Sequence, residues 1–344
     1  MNHNHRVLAA LATGASAALA LAASSSWPGP CRRAWPIRLS ITGGREMQVR
    51  LRVYAVLAVC LAVLTAASCG SSSGPASTAA NTAPASPPSG STSASHPLRG
   101  IIALGNSRLT GENSDPQSVG VPAPQNSWAT GTNPAVDSIY QRLAAVDPAT
   151  RGHAVNEAAG GAPAATLVGQ ATQALGVVPN PRLVIIEIIG TDIACDGSDS
   201  SNYPVFGQQV QAALDLIARQ APHATILLMS WPGRPLQASK AIIGTPAVPI
   251  AQANSAPMCN PFDPNLGIDK QNIKMWTGII EGYESELANV CATVPECHTD
   301  NGRATHFQVP ASYYSSDWEH LNVTGLAALA AFMWPTVAKI LNSH

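Results

Sequence analysis

Short apolar runs alternate with amphipathic stretches from residue 100 towards the C-terminus. The longest run, Leu183–Ile189, is rich in β-branched residues, which is typical of a parallel strand buried on both faces. Three shorter runs predict strands at 100–104, 153–156 and 225–231. Apolar residues recur at helical spacing in further stretches, which predict helices over 136–145, 164–175, 206–217, 273–290 and 323–341. The segment 232–269 interrupts the alternation and is predicted to be irregular.

Strands and helices that alternate in this way predict a three-layer α/β/α sandwich with a mostly parallel, doubly wound sheet of the flavodoxin-like kind. Ligands of such sheets bind beyond the carboxyl ends of the strands. The loops after Leu104, Asn156 and Ile189 open at that edge. Polar motifs on these three loops, together with one before the last helix, therefore predict a single site.

Two parts of that site carry the chemistry. Ser107 follows the first predicted strand, and near the C-terminus Asp317 precedes His320 by three positions. One turn of backbone can then bring the carboxylate to the imidazole Nδ1. An imidazole held in this way can take the proton of a serine hydroxyl, which is otherwise a weak nucleophile. The combination indicates a serine hydrolase, although chain order alone does not prove one because triads recur in unrelated orders.

Residues 100–342 resemble the SGNH, or GDSL-type, hydrolase family. Three of its four sequence blocks occur in order, as Gly-Asn-Ser at 105–107, Asn-Glu-Ala-Ala-Gly-Gly-Ala at 156–162 and Asp-Trp-Glu-His-Leu at 317–321. Asn106 stands where the family has Asp. In the third block, Gly-x-Asn-Asp, aligning Asp192 with the block's Asp puts Thr191 where the family has Asn.

The resemblance implies a role for each matching residue. Ser107 would be the nucleophile, His320 the general base and acid, and Asp317 the carboxylate that orients the imidazole. The backbone N–H groups of Ser107 and Gly161 would form part of the oxyanion hole, with the hydroxyl of Thr191 in place of the usual Asn amide. Loss of one oxyanion donor costs about 10²–10³ in turnover. A weakened activity is therefore expected unless another donor substitutes.

The implied function is an exported esterase or lipase-type hydrolase that cleaves a carboxylic ester through an acyl-enzyme on Ser107. Its substrate would be a lipid, an acylated sugar or a small ester, and neither a metal nor an organic cofactor is expected. Two alternatives stay open. Asn106 and Thr191 also suit a non-catalytic ligand-binding lipoprotein that keeps the fold, and an acyltransferase could use the same triad.

Charge argues against nucleic acid as a partner. The formal net charge is −1, only 11% of the residues are charged, and no run of Lys or Arg occurs. Phosphate backbones are bound through clustered basic side chains, which this sequence lacks.

The stretch 47–69 resembles a bacterial lipoprotein signal, because two Arg residues precede a short apolar run, small residues and Cys69. The resemblance implies export, lipidation of Cys69 and attachment to the membrane; a plain secretory signal is the alternative. Residues 1–46 are interpreted as an extension upstream of a true start at Met47.

A flexible tether is predicted between this signal and the folded part. Residues 70–96 are almost all Ser, Ala, Pro, Gly and Thr, which cannot bury enough apolar surface to order themselves. Residues 97–344 have the apolar content and length of one large domain, which would be the catalytic domain.

Four cysteines lie within that domain: Cys195, Cys259, Cys291 and Cys297. An even number in an exported domain predicts two disulfides, for which three connectivities exist. The favoured pairs are Cys291 with Cys297, which closes a tight loop, and Cys195 with Cys259. No Cys-x-x-Cys or His-x-x-x-His spacing supports a metal site instead.

Overall fold

The structure is a computed structural model that describes residues 97–117 and 119–342. The predicted leader and tether, residues 1–96, lie outside these described residues. The lipoprotein-like signal, the lipidation of Cys69 and the flexibility of the tether therefore stay predictions.

One sheet of five parallel strands forms the centre of the fold. The strands are β1 Ile101–Gly105, β2 Ala154–Asn156, β3 Leu183–Glu187, β4 Thr225–Leu228 and β5 Cys297–Thr299. They lie in the order β2-β1-β3-β4-β5, and each neighbouring pair is parallel. This is the doubly wound, flavodoxin-like order, in which the connections diverge between β1 and β3. The predicted fold class is confirmed.

Helices cover both faces of the sheet. They are α1 Ser107–Thr110, α2 Ile139–Val146, α3 Leu167–Val177, α4 Ile189–Asp192, α5 Asp199–Gln220, α6 Pro235–Ile242, α7 Ala247–Asn254, α8 Lys270–Cys291 and α9 Val323–Leu341. Short 3₁₀ turns lie at Pro124–Asn126, Pro148–Thr150, Ala164–Thr166, Pro257–Cys259, Ala304–His306 and Ala311–Tyr313. Alternate strand residues point to opposite faces, so Ile102 and Val184 pack with α3, α5 and α8, whereas Ile101 and Leu183 pack with α2 and α9.

The strand ends differ from the sequence prediction. β3 ends at Glu187 instead of Ile189, because Ile188 turns out of the extended region (φ −137°, ψ −24°) and α4 begins directly after it. β4 ends at Leu228 instead of Trp231. The N–H of Trp231 donates to the Glu284 carboxylate and not to a neighbouring strand. β5 was not predicted at all.

The segment 232–269, called the insertion below, is not irregular as predicted but contains α6 and α7. Pro235 is the first residue of α6, where its missing N–H costs no helical hydrogen bond. Ile242, Val248 and Phe262 are buried in a small cluster of their own. This local burial stabilises the two helices. The prolines and glycines of the insertion interrupt the helical pattern, so the sequence does not predict these helices.

Two disulfides lie within the described domain, and they join the four cysteines in the favoured pairs. Cys195, after α4, is bonded to Cys259 of the insertion across 64 positions of sequence, and Cys291, at the end of α8, is bonded to Cys297 of β5 across 6 positions. The first bond ties the insertion to the loop that follows the third sequence block.

Among the described residues, α9 is the one helix long and apolar enough to cross a membrane by length and composition. Its buried side chains pack in the core against the sheet: Leu326, Leu329, Ala330, Met333 and Val337. A core helix passes the same length and composition test, and the packing gives α9 that role here.

Candidate active site

The candidate nucleophile stands at the carboxyl end of a central strand. Ser107 is the first residue of α1, separated from β1 by Asn106 alone. The side-chain Oδ1 of Asn106 accepts the N–H of Arg108 at 3.2 Å and so caps the helix. Its Nδ2 donates to the carbonyl oxygen of Ile188 at 3.1 Å. A carboxylate could make the cap but could not donate, so the amide ties the nucleophile's turn to the end of β3.

Three further restraints act on the backbone of this turn. A Cβ on Gly105 (φ +143°) would collide with the carbonyl oxygen of Glu187, so only glycine fits there. Gln170 of α3 pairs with the Gly105 backbone: its Oε1 accepts the N–H at 2.7 Å and its Nε2 donates to the carbonyl at 3.0 Å. From β2, Asn156 Nδ2 donates to the carbonyl of Leu109 at 2.8 Å.

The loop before α9 brings a carboxylate and an imidazole to the same place. Asp317 Oδ1 accepts the N–H groups of Glu319 and His320, each at 3.0 Å, which closes the turn. Asp317 Oδ2 lies 2.7 Å from His320 Nδ1, and His320 Nε2 lies 2.8 Å from Ser107 Oγ. Ser107, His320 and Asp317 thus form one continuous hydrogen-bonded chain.

Electrostatics keep the carboxylate of this chain charged. Burial raises the pKa of Asp317, but hydrogen bonds from the His320 ring and from the N–H groups of Glu319 and His320 outweigh burial and lower the pKa to about 2. An ionised Asp317 favours the tautomer with the proton on Nδ1. The lone pair of Nε2 then faces the hydroxyl of Ser107.

Asn113 is a partner of the triad that the sequence reasoning missed. Its Nδ2 donates to Asp317 Oδ2, the oxygen that also contacts His320, and lies 3.5 Å from His320 Nδ1. Its Oδ1 accepts the N–H of Gly120, and its backbone is left-handed (φ +58°), a conformation that Asn tolerates better than most residues. A lone Asn in a loop carries no recognisable signal, so only the structure reveals this contact.

Glu187 is a second missed residue, and here a signal existed, because it is the single charged residue in the apolar run of β3. It pairs in register with Gly105 and is 2% exposed. Its Oε1 lies 3.6 Å from Arg108 Nε, and its Oε2 has no hydrogen-bond partner among the described residues. Burial raises its pKa to about 7, against the lowering effect of the charges on Arg108 and His320.

Two of the predicted oxyanion donors, Gly161 and Thr191, do not line the cavity that opens at Ser107. Gly161 (φ +68°) and Thr191 of α4 are both exposed. Asp192, beside Thr191, accepts the N–H of Ala164 at 3.0 Å. The structure therefore brings Ser107, His320 and Asp317 together, whereas the donor roles of Gly161 and Thr191 stay predictions.

A cavity of about 290 Å³ opens at the triad. Ser107, Asp317 and His320 line it together with Arg108, whose guanidinium lies 3.9 Å from the ring centroid of Trp231. Most of the remaining wall is apolar and comes from the insertion, α8 and α9. Within residues 97–117 and 119–342, no group of three His, Cys, Asp or Glu side chains could hold a metal ion.

No family model matches the chain, and no curated protein matches it. Solved structures to which it is similar include the psychrotrophic esterase EstA from Pseudoalteromonas sp., at 12% identity over 70% of this chain and 98% of that one, with a TM-score of 0.40. Others are the extracellular lipase from Streptomyces rimosus (15%, 70% and 99%, TM-score 0.40) and phospholipase A1 from Streptomyces albidoflavus (12%, 71% and 99%, TM-score 0.41). Each of these TM-scores lies below 0.5.

Proposed function

We propose that the chain is an exported serine esterase that cleaves carboxylic esters through an acyl-enzyme. The observation that carries the proposal is the hydrogen-bonded chain from Asp317 through His320 to Ser107, with links of 2.7 and 2.8 Å, at the mouth of a largely apolar cavity. Taken alone, each of these side chains could have a purely structural role. Their joint geometry matches the arrangement that activates a serine hydroxyl.

The reaction runs in two steps. Ser107 Oγ attacks the ester carbonyl while His320 Nε2 takes the hydroxyl proton, and the same nitrogen returns that proton to the alcohol as the C–O bond breaks. Water then loses a proton to Nε2 and attacks the acyl-enzyme, which releases the carboxylic acid and regenerates Ser107. Asp317 stabilises the imidazolium in both steps. The backbone N–H of Ser107 is a ready donor to the oxyanion, and Gly161 and Thr191 are the further donors proposed.

Export and membrane attachment through Cys69 belong to the same proposal. Two disulfides in one domain suit an oxidising compartment, since cytosolic thiols are kept reduced. The mass of the intact protein extracted from membranes tests the anchor: a diacylglyceryl or triacyl mass increment on a chain that begins at Cys69 supports it. A mature chain without that increment would limit the proposal to secretion.

The nucleophile is tested with a fluorophosphonate probe and p-nitrophenyl esters. We expect the probe to label the wild-type protein on Ser107, and Ser107→Ala to lose both labelling and hydrolysis. Ser114 is a buried serine shortly after the end of α1 and outside the triad, so Ser114→Ala is the matched control that should keep both. Labelling that survives in Ser107→Ala would reject the assignment.

A non-catalytic ligand-binding protein is the alternative that one observation favours, because Thr191 and Gly161 do not line the cavity. Binding of an ester without turnover, together with an unlabelled Ser107, would support it. Transfer of the acyl group to an added alcohol in preference to water would instead indicate an acyltransferase.

A further inference from the structure

The insertion forms much of the wall of the cavity at Ser107, and the side chains it contributes are mainly apolar. They come from both of its helices: Pro235, Ala238 and Ile242 from α6, and Ile250 and Ala251 from α7. Trp231 and Trp276 face the same space, and Leu326 and Leu329 of α9 add to the wall. A ligand group that enters here therefore meets mainly carbon.

Three polar side chains that the insertion contributes to this wall are already paired, whereas Glu112, which lines the cavity outside the insertion, has a buried Oε2 with no hydrogen-bond partner among the described residues. Ser239 Oγ donates to the carbonyl of Pro235 and Ser255 Oγ to the carbonyl of Ala251, each at 2.7 Å. Arg234 is bonded to the Glu284 carboxylate at 3.0 Å. The hydroxyls of Ser239 and Ser255 therefore offer no unused donor, whereas the Arg234 guanidinium keeps N–H groups beyond the two that it donates to Glu284. Polar atoms placed against the two serines and the apolar side chains of the wall would lose water without replacement, which is costly.

The insertion is also held in place at several points. The Cys195–Cys259 bond fixes one end, and Asn272 Nδ2 donates to the carbonyls of Pro257 and Asn260, each at 3.1 Å. Its small core packs against Tyr314 and Trp318 of the loop that carries His320. The wall is therefore built before a substrate arrives, which lowers the entropy cost of binding.

We infer that this cavity receives the acyl chain of the substrate and that the enzyme prefers esters of medium-length fatty acids. This inference rests on the proposed function. At roughly 30 Å³ for each heavy atom, taken from the volume of water in the liquid, the space of about 290 Å³ holds about ten heavy atoms. An octanoyl group fills it, whereas an acetyl group leaves most of it empty.

The expected signature is a dependence of kcat/KM on chain length. Each methylene moved from water into the cavity should raise kcat/KM about fourfold until the space is full, and the gain should stop near octanoate. The assay is a series of p-nitrophenyl esters from acetate to palmitate on the full chain. Equal kcat/KM for acetate and octanoate would overturn the inference and leave the esterase proposal intact.

Filling the cavity tests its location. Ala251→Trp should lower the ratio of kcat/KM for octanoate over acetate at least tenfold. Ala253 lies on the same helix but is exposed and outside the lining, so Ala253→Trp is the matched control and should stay within twofold of wild type. Fluorophosphonate labelling of Ser107 reports whether each variant is folded. Ala238→Trp, on the other helix of the insertion, should lower the same ratio if Ala251→Trp does not fold.

Failure of the proposed function is distinguishable from failure of this inference. Ser107→Ala, which cannot form an acyl-enzyme, is titrated calorimetrically with octanamide and with acetamide. We expect octanamide to bind at least tenfold more tightly, and the difference to vanish with Ala251→Trp added. Absence of octanamide binding, or binding that Ala251→Trp leaves unchanged, would overturn the acyl-chain assignment whether or not the protein hydrolyses esters.

Discussion

Replacing Glu187 by Gln should remove a pH dependence of stability that the wild-type protein shows between about pH 4.5 and 7. Burial raises the pKa of Glu187 from 4.5 to about 7. The native state therefore holds this proton more tightly than the unfolded state does. As the pH rises through the window, the unfolded state ionises first and is favoured, so the free energy of unfolding falls. Above pH 7 the full penalty is present.

The size of the effect follows from the two pKa values. The difference between 4.5 and about 7 corresponds to about 3 kcal/mol, at about 1.4 kcal/mol for a pKa difference of one. The pKa of about 7 for Glu187 already includes the effect of Arg108, whose charge lowers the pKa that burial alone would give. The free energy of unfolding of a typical domain is roughly 5–15 kcal/mol, so a change of this size is easily measured.

The assay is urea unfolding of wild type and Glu187→Gln at pH 5, 6, 7 and 8. Gln keeps the shape of Glu but does not titrate, so its stability relative to wild type should rise by about 3 kcal/mol from pH 5 to pH 8. Burial also raises the pKa of Asp192, to about 6, but Asp192 is present in both proteins and cancels in the difference. A difference that stays constant within about 1 kcal/mol would refute the reasoning and show Glu187 ionised throughout.

Three further predictions concern the triad, its oxyanion hole and the insertion. Asp317→Asn should lower kcat/KM about 10⁴-fold with Ser107 still in place, as loss of the orienting carboxylate does in other serine hydrolases; a loss below tenfold would contradict the role of Asp317. Thr191→Asn should raise kcat about tenfold if position 191 faces the oxyanion, and an unchanged kcat would place the donor elsewhere. Cys195→Ser with Cys259→Ser should lower the free energy of unfolding by about 4 kcal/mol, from the 64-residue separation that the bond spans. Non-reducing denaturation measures that loss, and no loss would show the insertion to be held by its other contacts.

The fold could be predicted where burial decides conformation. The run at β3 and the stripe of α9 are buried so completely that pattern and structure agree closely, and α9 spans the predicted residues 323–341. The sequence pattern does not predict β5, because this strand has only three residues, Cys297–Thr299, and all three are half-buried. It is held by a neighbouring strand and a disulfide. Nothing local in its sequence specifies a strand. Its conformation is set by pairing with β4, which is distant in sequence, and by the bond to Cys291.

The candidate site divides in the same way. The Asp-x-x-His spacing carries its own geometry, because Asp317 closes the turn that presents His320. Asn113 contacts the triad only through the packing of loops, and Glu187 is placed beside Arg108 only through the register of β1 with β3. The sequence shows Glu187 as a charge within an apolar strand, but only the coordinates show that its neighbour is Arg108 and that the Glu187 carboxylate is buried.

The cross-link at Cys195–Cys259 has a practical consequence for producing the protein. Chains made in a reducing cytosol would be purified without the bond, and the wall of the acyl-chain cavity would depend on the remaining contacts of the insertion. Such a preparation would keep the triad yet discriminate poorly between short and long esters. Recombinant material should therefore be directed to the periplasm or oxidised during refolding, and its free thiols counted, before its substrate range is described.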